Sequence, residues 1–379
     1  MAMKVLVIPD SFKDSISSKD FCNIAKDSIL KINPSTIVDC IPMGDGGEGS
    51  LESFKMIKDY IYKSVIVKSP LGKDIEARYC INRKAKTGII ELAEASGIQL
   101  VPRKLRNPLH TTSYGTGQLI KKVISDGMKK IILFIGGSAT NDVGIGILDA
   151  LGFTFYDSNK NQLNANIKNL DKIKKIENCP NYDTINKIEF VVACDVTNPL
   201  TGPKGATYYF GKQKGATKLI MEFLEKKILH FSKVVVNETS KNYINNKGAG
   251  AAGGIGFTAL SFLNATFEEG FPLLSRILDL EKKIKHGNYD WILTGEGCID
   301  KQTKNGKLIW HLGAIGLNAS IPIIAFTGKI NDNLSARKLP GITIVKQITP
   351  NNMKINTALK NASKNLDMAI KKEMNCLLI

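Results

Sequence analysis

Apolar residues fall along this chain in short runs, and most runs stop at a cluster of glycines, small polar residues and a carboxylate. The run Ile131 to Ile135 is long enough for a buried strand and too short for a helix. Gly136 and Gly137 break it, and Ser138, Ala139, Thr140, Asn141 and Asp142 follow. Beyond them Val143, Ile147, Leu148 and Leu151 recur at helical spacing, which predicts a helix capped by Thr140 or Asn141. A strand, a glycine turn and a helix start together present free N–H groups to an anion.

The same grammar recurs from end to end. Lys4 to Ile8 reads as a strand that runs into Pro9 to Asp14. A helix follows, with Ser17 and Asp20 as its capping box and Phe21, Ile24, Ala25, Ile29 and Ile32 on one face. Thr36 to Ile41 is a strand leading into Pro42 to Gly49, and Ile89 to Leu92 is another leading into Ala93 to Gly97. Tyr114 to Gly117 precedes a helix carrying Leu119, Ile120 and Val123, closed by Gly127. Ile188 to Ala193 runs into Cys194 and Asp195, and Trp291 to Leu293 into Thr294 to Gly297, with Asp300 beyond. Ile321 to Phe326 leads into Thr327 to Lys329, Ile342 to Val345 is a late strand, and an amphipathic segment after Asn356 closes the chain. The polar stretch Asn159 to Asn186 reads as surface structure. Strands alternating with helices predict an α/β fold with parallel sheets, whose ligands bind beyond the carboxyl ends of the strands. Those ends carry Asp10, Asp45, Glu94, Asn141, Asp142, Asp195, Glu296 and Asp300, which are expected to converge on a cleft.

Composition narrows the classes. A chain of 379 residues is too long for one typical core, so two domains are expected. An apolar share of 43% with 23% charged residues is that of a globular protein. Met1 to Ile8 lacks the layout of a signal peptide, and no apolar run approaches the ~20 residues that span a bilayer. The expectation is a cytoplasmic protein with no membrane partner. Seven scattered cysteines with no C-x-x-C pair argue against a disulfide framework and a cysteine zinc site. The net charge of +17 invites a nucleic-acid reading, but only six of the 52 basic residues are arginine, and the lysines are dispersed. A solvated lysine-rich surface is the simpler account, with no nucleic-acid partner.

Two motifs are decoys on their context. Gly248 to Gly253 spells G-x-G-x-x-G, but a polar, Asn-rich loop separates it from the nearest apolar run, Val234 to Val236. A dinucleotide fingerprint needs a strand feeding straight into it. Ala206 to Gln213 approaches a P-loop, with Ala for the first glycine and Gln where a hydroxyl belongs. There is no G-x-S-x-G elbow, and His110 and His311 read as structural residues. What remains is the parts list of phosphoryl transfer: carboxylates for magnesium, N–H groups and lysines for phosphates, and one carboxylate to take a hydroxyl proton. A nicotinamide-dependent dehydrogenase, suggested by Gly248 to Gly253, and a non-catalytic anion-binding protein, suggested by charge, are the competing readings.

The motifs then become specific. PDSFKDS (Pro9 to Ser15), PMGDGGEG (Pro42 to Gly49), AEASG (Ala93 to Gly97), NPL…YGTG (Asn107 to Gly117) and GGSATND (Gly136 to Asp142) resemble, in order and spacing, the bacterial glycerate kinase family. So do ACDVTNPLTGPKGA (Ala193 to Ala206), FGKQKGA (Phe210 to Ala216), GAGAAGG (Gly248 to Gly254) and TGEGCIDKQT (Thr294 to Thr303). The resemblance implies an ATP- and Mg2+-dependent kinase of D-glycerate. It also implies two α/β domains with the active site in the cleft between them. One is Rossmann-like with a parallel sheet and is built from both chain ends (residues 1–70 and 285–379), and the other is a mixed α/β domain from the middle (71–284). The branch it resembles makes 2-phosphoglycerate, with 3-phosphoglycerate as the alternative product.

Residue chemistry assigns candidate roles within that reading. Asp45 and Asp195 are the proton acceptor and a magnesium ligand in an order left open, and Lys13 is the phosphate clamp. Asp10, Ser11, Gly136, Gly137, Ser138, Thr140, Asn141 and Glu296 are candidates for binding substrate and nucleotide, and Asp300 joins Asp195 at the metal. Several positions depart from the usual family pattern, above all Cys298, where an arginine is common; this bears on substrate preference more than on reaction class. A homodimer stays open as the assembly.

Overall fold

A computed structural model of the chain describes residues 2–13, 15–44, 47, 49–300, 303, 308–331 and 339–377. The chain divides into two compact units. The first takes residues 1–45, 52–56 and 271–379, and the second takes 46–51 and 57–270. Strands are numbered in chain order throughout.

The first unit holds a wholly parallel sheet. It contains β1 (Lys4–Val7), β2 (Ile37–Cys40), β12 (Trp291–Ile299), β13 (Ile323–Ile330) and β14 (Ile344–Gln347), in the order β14-β13-β12-β1-β2. Val5, Val7, Leu293, Ile324 and Phe326 of this sheet pack with Phe21, Ala25 and Ile29 of the helix Ser18–Ile32 and with Leu366 and Ile370 of the helix Ala362–Leu377. Ser17 caps this helix as expected: its Oγ accepts from the Asp20 amide at 3.0 Å and donates to Asp20 Oδ2 at 2.7 Å, in place of the reciprocal backbone bond of a full capping box. The strand order reverses between β1 and β12, which is where a sheet of this kind opens a ligand crevice at its carboxyl end.

The second unit holds a mixed sheet of β3 (Ile61–Lys68), β4 (Asp74–Asn82), β5 (Thr87–Glu91), β6 (Lys130–Phe134), β10 (Glu189–Ala193) and β11 (Thr266–Glu268). From β5 through β6 and β10 to β11 the pairing is parallel, and β4 and β3 add an antiparallel edge. A small antiparallel sheet of β7 (Thr154–Tyr156), β8 (Gln162–Leu163) and β9 (Lys175–Glu177) lies beside it in sequence. A parallel-sheet unit that includes both ends of the chain and a mixed-sheet unit match the expected α/β class.

Three local expectations are corrected. The segment Asn159 to Asn186 is not simply surface, because Ile167, Leu170, Ile173, Ile176 and Ile185 are buried in the second unit's core. Its polar majority hides a sparse set of anchors. The glycine motif from Thr294 is not a turn, since β12 continues through it and pairs with β13 as far as Ile299 opposite Ile330. Gly295 is required there by packing, as a Cβ would lie 2.6 Å from the Phe21 ring. The helix after the Gly136 loop begins only at Ile145, with Gly144 at its N-cap in the left-handed region. Neither Thr140 nor Asn141 caps it, because Val143 and Gly144, both in the left-handed region, separate them from its first turn. Among the described residues no helix is long and apolar enough to cross a membrane.

Candidate active site

In the first unit the candidates gather at the ends of neighbouring strands. Asp10 follows β1 and its amide donates to Gly295 O of β12 at 2.9 Å. Its Oδ1 accepts from the Ser11 amide at 2.6 Å. Lys13 is exposed. Its amide nitrogen would lie 3.5 Å from a Cβ added at Gly297, so the two backbones run close together. Glu296 is buried within β12, and its Oε1 accepts from Thr303 Oγ1 at 2.6 Å. The same hydroxyl oxygen accepts from the Asp300 amide at 3.1 Å. Asp10, Ser11, Lys13, Glu296 and Asp300 thus share one end of one sheet. Asp45 lies outside the described residues.

In the second unit the register brings another set together. Phe134 of β6 stands opposite Ala193 of β10 and Glu91 of β5. Gly136 and Asp195 each lie two residues beyond this line, so they extend from the same end of the sheet. Asp195 is exposed, and its Oδ1 accepts from the Gly270 amide at 2.8 Å. Glu91 is buried and accepts from the amides of Gly49 and Leu51 at 2.8 and 3.0 Å, which ties the end of the Pro42 motif to this edge. A Cβ on Gly47 would lie 3.0 Å from Gly136 Cα, so glycine permits the two loops to meet. Glu94 belongs elsewhere: Arg78 grips it through Nη2 at 2.5 Å and Nε at 3.1 Å.

The loop Gly136 to Asp142 is clamped from all sides by other motifs of the sequence. Ile98 N donates to Gly137 O at 2.8 Å, and Ala139 N donates to Ser96 O at 2.9 Å. Asp142 is buried and accepts from Ser113 N and Ser113 Oγ, both at 2.8 Å, and from Gly144 N at 3.2 Å. Burial raises its pKa, and those three donors oppose the rise. A Cβ at Gly253, whose φ is +72°, would stand 2.1 Å from Thr140 O. The G-x-G-x-x-G glycines therefore serve as a close-packed buttress for this loop, and no strand feeds them, since residues 240–250 hold none. That removes the structural basis for the dehydrogenase reading. Thr140 and Asn141 are fully enclosed, while Ser138 retains a little exposure, Gly136 is half-buried and Gly137 is exposed.

Lys214 is the residue that the sequence reading missed. It is 3% exposed, and its Nζ donates to Ser138 Oγ at 2.8 Å and to Thr140 O at 2.6 Å. Burial pushes its pKa from an ordinary 10.5 down to about 7, with the negative charge of Asp142 holding it up in part. The only signal was its place in FGKQKGA, where three polar residues in a row read as solvated. A lysine with a lowered folded-state pKa binds fewer protons when folded than when unfolded, so stability rises with pH between the two values. Wild-type stability is therefore expected to gain, relative to Lys214→Met, as pH rises from about 7 to 9, by at most about 1.4 kcal/mol per unit. Urea denaturation of both proteins at the two pH values measures it, and parallel curves would refute it.

Against this geometry, residues 5–378 match the model of the glycerate kinase family. A glycerate kinase of Halalkalibacterium halodurans is 35% identical over 96% of this chain and 96% of its own length. The glycerate 2-kinase of Escherichia coli K12 is 34% identical over 96% and 95%. The crystal structure of a protein assigned as glycerate kinase 2 from Salmonella typhimurium LT2 superposes with a TM-score of 0.80 at 33% identity, covering 100% of this chain and 98% of that one. Fold and comparisons define a kinase of the α/β class. The chain belongs to the glycerate kinase family, and membership implies ATP as the phosphoryl donor.

Proposed function

We propose that this chain transfers the γ-phosphoryl group of ATP to the C2 hydroxyl of D-glycerate, giving 2-phosphoglycerate. The observation that carries this reading is the full-length likeness to the Escherichia coli glycerate 2-kinase. The loop geometry supports it, because a rigid turn with an exposed glycine suits an oxyanion. Asp195 and Asp45 are read as the proton acceptor and a metal ligand, in either order. Lys13 serves as the phosphate clamp, its exposed side chain reaching the charge that builds on the transferred group. Asp10, Ser11 and Glu296 bind from the first unit's strand ends, and Gly136, Gly137 and Ser138 from the second's, with Thr140 and Asn141 shaping the turn from within. The two compact units are read as the two domains of the enzyme.

Mg2+ fits this donor set. Among the described residues no three His, Cys, Asp or Glu stand close enough to form a metal cage. Mg2+ needs less, usually one or two carboxylates with waters and substrate phosphates. Exposed Asp195 of the second unit and half-buried Asp300 of the first each offer a hard oxygen atom that would serve as a single protein ligand of that kind. Bound there, the ion supplies positive charge to the phosphates. The protein's own part is orientation. The carboxylate of D-glycerate must be held firmly enough that the C2 oxygen, and not the more accessible C3 oxygen, lies in line with the γ-phosphate. At Cys298 the sulfur accepts from Asn331 Nδ2 at 3.2 Å.

The expected result is release of ADP that depends on D-glycerate, with 2-phosphoglycerate as the main ester by phosphorus NMR. Mainly 3-phosphoglycerate would overturn the regiochemistry and leave the kinase standing. No ADP release with D-glycerate would overturn the substrate.

A further inference from the structure

We propose that Lys214 is a positioning residue that turns the Ser138 hydroxyl into an obligate donor toward a ligand oxyanion at the Gly136–Gly137 turn. The inference rests on the proposed function, because it assumes that this turn meets substrate. It goes beyond it in assigning a task to a side chain that touches no ligand.

The argument starts from hydrogen-bond inventory. An ammonium group carries three N–H donors and no acceptor, whereas a serine hydroxyl carries one donor and two lone pairs. In its charged form, which a bound oxyanion favours, Lys214 Nζ, 2.8 Å from Ser138 Oγ, can only give, so the serine oxygen must accept. The single O–H of Ser138 is then left to donate elsewhere. Its backbone has little freedom to change that. Gly137 O and Ala139 N are pinned to Ile98 and Ser96, and Ser138 itself bridges Gly97. The neighbours on the open side are Gly136, half-buried, and Gly137, exposed with φ +72°.

The enclosure of the lysine points the same way. A buried ammonium that bonds a hydroxyl and a carbonyl is an expensive arrangement unless negative charge comes near, and Asp142 supplies only part of it, since burial still lowers the lysine's pKa. Its second bond, to Thr140 O at 2.6 Å, fixes the ammonium so that it cannot swing out to solvent. Within the same turn, Thr140 Oγ1 and Asn141 Oδ1 are buried and have no hydrogen-bond partner among the described residues. A purely structural tie between the 138–140 and 212–214 segments needs neither the charge nor the serine. An oxyanion accepting from Ser138 explains both. Its source is the carboxylate of D-glycerate or a phosphate of ATP, which share this chemistry.

A double-mutant cycle tests it. Lys214→Met, Ser138→Ala and the double variant are compared with wild type for kcat and for the KM of D-glycerate and of ATP. Each single variant is expected to raise one of the two KM values roughly 10- to 100-fold, as loss of a hydrogen bond to a charged group does. The double variant is expected to be no worse than Ser138→Ala, because the lysine acts through that hydroxyl. The KM that moves identifies the oxyanion. Ser138→Thr, which keeps the hydroxyl, is expected to recover most of the loss. Independent, multiplying effects, or unchanged KM values in Lys214→Met, would overturn the proposal. If Lys214→Met does not fold, Lys214→Gln replaces it. If neither folds, one lysine 13Cε resonance of wild type must shift on adding ATP or D-glycerate, and Ser138→Ala must abolish that shift; its absence overturns the proposal. Wild-type turnover of D-glycerate is the control for the kinase reading. Should wild type turn nothing over, the same cycle is read on the Kd of each ligand.

Discussion

Asp195→Asn is expected to lower turnover by ~10²–10⁴-fold, the usual cost of losing a general base, while ATP affinity changes by only a few-fold. The side chain is exposed just past the end of β10, and the bond from Gly270 N to its Oδ1 at 2.8 Å fixes its direction. Asparagine keeps the size and an oxygen for that amide, so the fold should survive. What it loses is basicity and charge. The two roles left open for Asp195 respond differently to magnesium. A lost metal ligand is partly restored by excess Mg2+, whereas a lost base is not. Steady-state kinetics across a magnesium series therefore assigns the role. Near-wild-type turnover in a folded Asp195→Asn protein would take this residue out of the chemistry.

The parallel strands were legible in the sequence because burial on both faces leaves a continuous apolar run, as in Ile131 to Ile135 and Phe190 to Ala193. The β3–β4 edge was not. Its strand Ile61–Lys68 buries only Val67 and otherwise mixes exposed and half-buried residues, so its apolar run is confined to Val65, Ile66 and Val67. The long helix Lys218–Thr239 was missed for a related reason: its buried positions, among them Leu224, Ile228, Phe231 and Val235, are spread among lysines and glutamates. Thr217 caps it, accepting from Ile220 N at 3.3 Å, and that was the available signal.

Site residues were legible where a carboxylate or glycine ends a strand, and Asp10, Asp195 and Gly136 all follow that rule. Glu94 fits the same rule and belongs instead to an ion pair with Arg78, because spacing cannot tell a ligand-facing carboxylate from one facing a neighbouring strand. Lys214 stayed hidden for a physical reason. A lysine is normally solvated, and only three-dimensional enclosure by Ser138 and Thr140, held in turn by Gly253, makes this one a buried cation.

The same loop is anchored by Asp142, and the largest stability effect is expected there. Asp142→Ala strips the acceptor from three donors at once: Ser113 N, Ser113 Oγ and Gly144 N. Each buried donor left unsatisfied costs about 1–3 kcal/mol. Relief from burying a carboxylate offsets part of this, and removing the negative charge near Lys214 adds to it. A net loss on the order of 3–5 kcal/mol is the usual outcome of breaking such a buried group, against a domain stability of roughly 5–15 kcal/mol. Asp142→Asn should lose less. Its remaining carbonyl can serve both Ser113 donors, which share Oδ2, while its amide faces the Gly144 N–H and repels it. Because the chain has two units, one denaturation midpoint would blur the effect. Hydrogen exchange separates them: amides of β5, β6 and β10 should exchange faster in Asp142→Ala, while those of β1 and β12 keep their wild-type protection. Equal acceleration in both sheets would mean that the substitution acts on the whole chain and not through the Ser113 and Gly144 bonds. No acceleration in either sheet would mean that the relief from burying the carboxylate outweighs three lost hydrogen bonds.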